Sequence, residues 1–166
     1  MDNGLMARLD RWLATHRSDY HAGLQPGVSE AELDAFEMQF SLKLPVVFRQ
    51  LYGWRNGQDP QSFEALQFNR TWMTLADIAE VKGLMDGMIG HDFEDPRYWR
   101  RGWVPFLSNG GGSYLCLDLA AEDGGQPGQI LEFWKADEDR PIRWSDMQAW
   151  LAALVGSMED GSIEIF

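Results

Sequence analysis

The sequence predicts an α+β fold: a single domain in which an antiparallel β-sheet is packed by N-terminal helices and a C-terminal helix. Helical periodicity fills the first half of the chain, and three short apolar runs separated by Gly-rich turns follow it. Another capped helical segment comes after these runs. Helices and strands that occur in separate blocks are typical of α+β proteins. Because no repeat, low-complexity tract or linker divides the 166 residues, we assign residues 1–166 to one domain.

The beginning of the chain predicts two helices. The first has its apolar side chains on one stripe, which ends before residue 15: Leu5, Leu9, Trp12 and Leu13. The second begins after Ser29, because Ser29 and Glu32 have the spacing of a capping box, which satisfies free N–H groups at a helix start. Its inward-facing side chains are predicted to be Leu33, Phe36 and Phe40.

Two further helices are predicted in the middle of the chain. Pro45 can open one of them at its first helical position, where the missing N–H is harmless, and Asn56–Gly57 predicts its left-handed end. Thr74 with Asp77 predicts the cap of the next helix. Residues 63–72 mix apolar and polar side chains at a spacing close to two, which predicts a strand between the two helices.

The second half of the chain predicts a meander and a last helix. A charged loop with aromatic side chains covers residues 91–101. Three strands of an antiparallel meander are predicted at residues 103–107, 114–119 and 129–134. Ser145 with Gln148 has the spacing of a second capping box, and an amphipathic helix follows it.

The charge balance favours a basic protein partner. With 26 acidic and 14 basic side chains the formal net charge is −12, which repels nucleic-acid phosphates. One cysteine cannot form an internal disulfide, and charged side chains occupy the start of the chain, where a signal peptide needs an apolar run. No apolar stretch approaches the roughly 20 residues of a membrane helix. We therefore expect a cytoplasmic protein that binds neither membrane nor nucleic acid.

The residue patterns typical of catalysis and metal binding are weak. The Gly-rich segment 108–113 precedes a predicted strand, whereas phosphate-binding loops precede a helix. Cys116 lies in an apolar run, which predicts core packing. The group His91, Asp92, Glu94 and Asp95 could bind a divalent cation or hold a general base of a small hydrolase, but it lacks the spacing of a metal loop, and a solvated acidic loop is the alternative. We predict no enzyme, no cofactor and no metal site.

Surface features remain as candidates for function. Acidic clusters lie at residues 94–95, 122–123, 137–139 and 159–160, where they could meet a partner or only keep the surface soluble. Trp54, Trp72, Trp99 and Trp103 fall at predicted loops or element ends, where each could be buried or could anchor an interface. The predicted partner-binding residues are Trp54, Trp72, Asp92, Glu94, Asp95, Trp99, Asp137, Glu138 and Asp139.

Several segments resemble one family in order and spacing. The run Leu-Pro-Val-Val-Phe-Arg-Gln-Leu-Tyr at residues 44–52 is followed by Asn56–Gly57. Downstream come Trp-Val-Pro-Phe at 103–106, Tyr-Leu-Cys-Leu-Asp at 114–118, Gly-Gln-Ile-Leu at 128–131 and Trp134. Over residues 29–156 the chain resembles the SUKH superfamily. Relatives commonly carry a His or an Asp close after the aromatic residue of the last strand motif. This sequence departs from that pattern, because Lys135 follows Trp134.

The resemblance implies an α+β fold and no catalytic residues. The superfamily includes a fungal cell-wall-synthesis regulator and many bacterial immunity proteins. Our hypothesis is that the chain is an immunity protein. It binds the basic active-site face of a cognate cytosol-acting toxin and occludes that active site. The alternative is an intracellular regulatory or scaffold protein that binds several partners weakly.

Overall fold

The chain forms six helices and a five-stranded antiparallel sheet within residues 4–166, which a computed structural model describes. The helices are α1 (Leu5–His16), α2 (Ser18–Ala22), α3 (Glu30–Phe40), α4 (Val46–Trp54), α5 (Leu75–Met88) and α6 (Met147–Asp160). The strands are β1 (Thr71–Trp72), β2 (Trp103–Ser108), β3 (Tyr114–Asp118), β4 (Gln129–Phe133) and β5 (Ile142–Trp144), paired in sequence order. The predicted α+β class and the antiparallel meander are confirmed.

Alternate side chains of the central strands enter two different apolar clusters, because successive residues of a strand point to opposite faces. The first cluster, the main core, contains helix side chains together with strand residues such as Val104, Leu117 and Ile130. The second, which we call the aromatic cluster, consists of Trp99, Trp103, Cys116, Leu131 and Phe133. Helix α5 contributes to both clusters: residues near its start enter the main core, and Met85 packs against the aromatic cluster.

Two of the predicted helix starts are confirmed. The Ser29 hydroxyl accepts a hydrogen bond from the Glu32 N–H at 3.1 Å, and the Glu32 carboxylate accepts one from the Ser29 N–H at 3.5 Å. The Thr74 hydroxyl accepts from the Asp77 N–H at 3.2 Å. These contacts satisfy backbone donors that have no partner inside the helix.

Other predicted helix ends are wrong by one or a few residues. Pro45 is the N-cap of α4 and not its first helical residue, and α4 ends at Trp54, before Asn56–Gly57. Gly57 instead meets the chain that leads into α5: a Cβ on it would lie 2.5 Å from the Met73 carbonyl oxygen. Helix α6 is capped by Asp146, whose carboxylate accepts from the Ala149 N–H at 2.7 Å. Asp146 directly follows the predicted cap, Ser145, and the helix begins one residue later than expected.

The strand predicted over residues 63–72 is wrong except for its last two residues. Residues 67–70 make a tight turn, in which Phe68 and Asn69 have positive φ angles of 49° and 58°. The outer edge of β1 pairs with a buried glutamine: the Gln58 N–H donates to the Trp72 carbonyl at 3.1 Å, and the Gln58 side-chain oxygen accepts from the Trp72 N–H at 2.8 Å. The short elements α2 and β5 were not predicted, because neither is long enough to show a periodic pattern.

Candidate functional site: an acidic cleft

A cleft of about 610 Å³ lies among three loops: the loop that precedes β2, the loop that joins β3 to β4 and the loop that joins β4 to β5. We call it the acidic cleft, and its lining residues are Asp95, Arg97, Tyr98, Asp123, Lys135, Ala136, Asp137, Glu138, Asp139 and Arg140. The lining holds five carboxylates and three cationic side chains. The acidic clusters predicted at residues 94–95, 122–123 and 137–139 each contribute to it, although they are far apart in the sequence.

Arg140 connects two of the loops that form the cleft. Its guanidinium group donates to the Tyr98 carbonyl at 3.0 Å on one side, and to the Asp137 and Asp139 carbonyls at 2.7 and 2.8 Å on the other. The same group lies 4.4 Å from the centre of the Phe133 ring, over the aromatic cluster. Within residues 4–166, each hydrogen bond that we find for this guanidinium goes to a backbone carbonyl. Arg140 therefore joins these loops through backbone carbonyls and not through the acidic side chains of the cleft.

Two carboxylates of the cleft are held in the ionised form. The Arg97 backbone N–H donates to Asp95 at 2.8 Å, and this bond is the main cause that lowers the pKa of Asp95. Arg100 donates two hydrogen bonds to Asp123, at 2.7 and 3.1 Å, and lowers the pKa of that carboxyl. Both groups stay negative throughout the neutral range, because their pKa values lie below the ordinary value of 3.8.

The acidic side chains of the 137–139 segment are exposed at the mouth of the cleft. Asp137 caps its own turn by accepting from the Asp139 N–H at 2.9 Å. We find no hydrogen bond or ion pair to the carboxylates of Glu138 and Asp139 in the described part of the chain. Both side chains are exposed, and the Asp139 charge acts on Arg140 through space.

Tyr98 supplies an aromatic surface beside these charges. Its hydroxyl donates to the Lys135 carbonyl at 2.8 Å, and its ring stands edge-on to Phe133 at 5.2 Å between centres. The ring is half-buried. The Arg140 guanidinium already lies 5.2 Å from the centre of this ring, so that the arginine and lysine side chains of a partner can bind here chiefly by pairing with the carboxylates.

The predicted site residues divide into four groups. Asp95 and the acidic residues 137–139 line the cleft. Asp92 and Glu94 are exposed on the loop that carries Asp95, but they do not line the cleft. Trp54 is half-buried at the end of α4, away from the cleft, and stacks on Trp72 at 6.2 Å between centres.

Two tryptophans predicted as surface anchors are buried, and this part of the prediction is wrong. Trp72 and Trp99 are only 2% and 1% exposed. Each indole N–H has an internal acceptor, the Tyr52 hydroxyl at 3.0 Å for Trp72 and the Asp86 carboxylate at 2.9 Å for Trp99. A satisfied N–H removes the main cost of burying tryptophan.

Sequence reasoning missed Tyr98 and Arg140. Both lie beside predicted site residues, Tyr98 next to Trp99 and Arg140 directly after the acidic run 137–139. A single arginine after three acids was the available signal. The hydrogen bond that joins these two residues spans 42 positions of the chain, and no local pattern indicates it.

The other candidate sites have structural roles. Asn109 closes the Gly-rich turn between β2 and β3 by accepting from the Gly111 and Ser113 N–H groups at 2.8 and 3.0 Å. Cys116 is fully buried, as predicted, and burial raises the pKa of its thiol. Among residues 4–166, no group of three His, Cys, Asp or Glu side chains is arranged to hold a metal ion, and no helix is long and apolar enough to cross a membrane.

Known proteins are similar to most of this sequence. The model of the SMI1 / KNR4 family (SUKH-1) matches residues 27–153. The "KNR4/SMI1 homolog 2" of Debaryomyces hansenii is 23% identical over an alignment of 214 residues, which covers 98% of this chain and 36% of that protein. The "Cell wall biosynthesis/cell cycle regulator smi1" of Schizosaccharomyces pombe is 23% identical over 181 residues, 93% of this chain and 35% of that protein. The chain spans about a third of the length of these curated relatives.

Proposed function

The chain belongs to the SMI1 / KNR4 family (SUKH-1), and we propose that it is a protein-binding domain whose acidic cleft receives basic side chains of a partner protein. The observation that carries this proposal is the convergence of three separate acidic segments on one cleft whose outer carboxylates are unpaired. Charge complementarity of this kind speeds association and selects basic partners. We propose that the protein is cytoplasmic. The proposed function includes no catalytic step, no cofactor and no nucleic-acid contact.

In its specific form, the proposal is an immunity protein that neutralises a cognate toxin. The acidic cleft would cover a basic active-site face of the toxin and exclude the substrate. Slow release needs apolar contact in addition to charge, and Tyr98 is the aromatic side chain that the cleft offers. The outer residues Glu138 and Asp139 would meet the toxin first.

A second candidate is a regulatory or scaffold domain with several weak partners. The name of the relative from Schizosaccharomyces pombe, a cell wall biosynthesis and cell cycle regulator, favours it. The acidic cleft would have the same chemistry in both cases. The number of partners and their toxicity distinguish the two.

The test combines capture of partners with a single charge reversal. The tagged protein is purified from its native cells at low salt and then at about 0.5 M salt, which shortens the Debye length to a few ångströms. The comparison variant is Asp139→Lys, and the control is Asp19→Lys, an equal change of charge on α2 outside the cleft.

One stoichiometric partner that survives high salt, is lost with Asp139→Lys, is retained with Asp19→Lys and is toxic when expressed alone would support the immunity function. Several salt-labile partners that depend on Asp139 would support the regulatory function. Partners that bind both variants equally would contradict a role for the acidic cleft.

A further inference from the structure

A lysine is fully buried beside the aromatic cluster. The ammonium group of Lys82, on α5, donates hydrogen bonds to the carbonyls of Arg101 and Trp103, the latter at 3.0 Å. It also pairs with the carboxylate of Asp86, one helical turn away, at 3.1 Å. Burial lowers the pKa of Lys82, and the Asp86 charge opposes this shift.

Asp86 links this ion pair to the loop that carries one side of the acidic cleft. Its carboxylate accepts from the Trp99 indole N–H at 2.9 Å. The Trp99 ring in turn stands edge-on to Trp103 and Phe133, at 5.4 and 5.2 Å between centres. The pair thus contacts the loop at two points. Asp86 binds the side chain of Trp99, and Lys82 binds the backbone carbonyl of Arg101.

The neighbour of Trp99 is Tyr98, which forms the aromatic surface of the cleft. Helix α5 therefore fixes the loop from inside at Trp99 and Arg101, whereas Arg140 fixes it from the cleft side at the Tyr98 carbonyl. All three anchors lie within four consecutive residues. Asp95 and Tyr98 keep their places in the cleft only while this segment keeps its conformation.

Stability alone does not explain a buried ion pair. Removing two charges from water costs about as much as their attraction returns, and apolar side chains of similar volume often replace such pairs without loss. What apolar side chains cannot supply is hydrogen bonding to the Arg101 and Trp103 carbonyls and to the Trp99 indole. The pair is thus suited to fix the loop in one conformation.

We propose that Lys82 and Asp86 are positioning residues for the acidic cleft, which hold the loop of residues 97–101 in its binding conformation. This inference rests on the proposed function, because it assumes that the cleft binds basic side chains. The positioning itself can be measured without any ligand.

The test compares the double variant Lys82→Met/Asp86→Leu with Ile78→Val, a conservative change in the main core on the same helix. Thermal unfolding, hydrogen exchange of the backbone amides of residues 97–101, and the Kd for a fluorescein-labelled hexa-arginine peptide at about 0.15 M salt are measured for each. The variant Trp99→Phe keeps an aromatic ring and removes the indole donor. It replaces the double variant in the test if the double variant does not fold.

For the double variant we expect a lower Tm, because the Arg101 and Trp103 carbonyls and the Trp99 indole lose their partners. We also expect at least about tenfold faster exchange of the loop amides, with the amides of α6 still protected, and an about tenfold higher Kd for the peptide. Trp99→Phe should show the same changes at smaller size, and Ile78→Val should change neither the loop exchange nor the Kd. Unchanged loop exchange in the double variant, or in Trp99→Phe if the double variant does not fold, would overturn the positioning role. Faster loop exchange with an unchanged Kd would uphold the positioning and overturn the binding function of the cleft.

Discussion

The two apolar clusters of the sheet are built in different ways. The main core is covered by helices whose side chains recur at helical spacing, such as Leu5, Leu9 and Leu13 of α1. The aromatic cluster is covered largely by a loop, which is held by buried or half-buried cations that donate to backbone carbonyls, Lys82 on one side and Arg140 on the other. A loop can therefore close a sheet face when charged donors satisfy its carbonyls. The same loop then remains available to form a cleft.

The largest expected effect is the loss of a large side chain from the main core. Phe48 is fully buried on α4 and stacks on Tyr52 at 4.5 Å between centres. We expect Phe48→Ala to lower the free energy of unfolding by about 3–5 kcal/mol, because the cavity adds to the lost transfer energy. Urea unfolding measures this change. A loss below about 1 kcal/mol would contradict the assignment of Phe48 to a closely packed core.

The corresponding change beside the aromatic cluster is Arg140→Met, which keeps the apolar stem and removes the donors. We expect a smaller loss, about 1–3 kcal/mol, because several carbonyls lose their partner. The effect should also be local. Hydrogen exchange should become faster in residues 95–98 and 134–139 while the amides of α1 and α6 stay protected. Equal acceleration throughout the molecule would mean that the two clusters unfold as one unit.

The thiol of Cys116 reports the opening of the aromatic cluster directly. It is fully buried, and burial raises the pKa of the thiol, so that little thiolate forms in the native protein. We expect no reaction with a thiol reagent at neutral pH in the wild type and a slow but measurable reaction in Arg140→Met. Rapid reaction of the wild type would contradict the closed cluster.

The smallest effect concerns the ion pair between Arg100 and Asp123. The folded protein lowers the pKa of Asp123 below 3.8. As the pH falls, Asp123 therefore takes up its proton at a higher pH in the unfolded chain than in the folded protein. The stabilisation is complete above about pH 4 and is lost as the pH falls through the lower, folded pKa. An exposed pair contributes about 0.5 kcal/mol or less.

We expect Arg100→Gln to raise the pKa of Asp123 towards its ordinary value, as measured by NMR titration of the carboxyl group. The stability difference between variant and wild type should disappear in acid, below the folded pKa. A pKa that does not move would show that Arg100 is not the group that lowers it.

The accuracy of the sequence predictions depends on whether a feature is determined by nearby or by distant residues. The capping box at Ser29 and the cap at Thr74 were predictable because they depend on residues three positions apart. The three inner strands were predictable because Gly-containing turns separate their apolar runs. The acidic segments of the cleft were visible as charge clusters, but their convergence was not.

The failed predictions depend on contacts between distant parts of the chain. The edge of β1 is occupied by Gln58, and Trp99 is buried because Asp86 accepts its indole N–H. Burial of Lys82 could not be anticipated either, because its partners include carbonyls 19 and 21 positions away. A sequence pattern shows which side chains are apolar, but not which distant polar group will satisfy a buried donor.

The central claim is that the acidic cleft binds a basic face of a protein partner. The most direct measurement is calorimetric titration of the captured partner into the wild type, Asp139→Lys and Asp19→Lys at low salt. We predict that Asp139→Lys raises the Kd at least about tenfold, as a reversed charge inside an interface does, and that Asp19→Lys binds like the wild type. Equal Kd values for the two variants would contradict the claim, because only net charge, and not the cleft, would then determine binding.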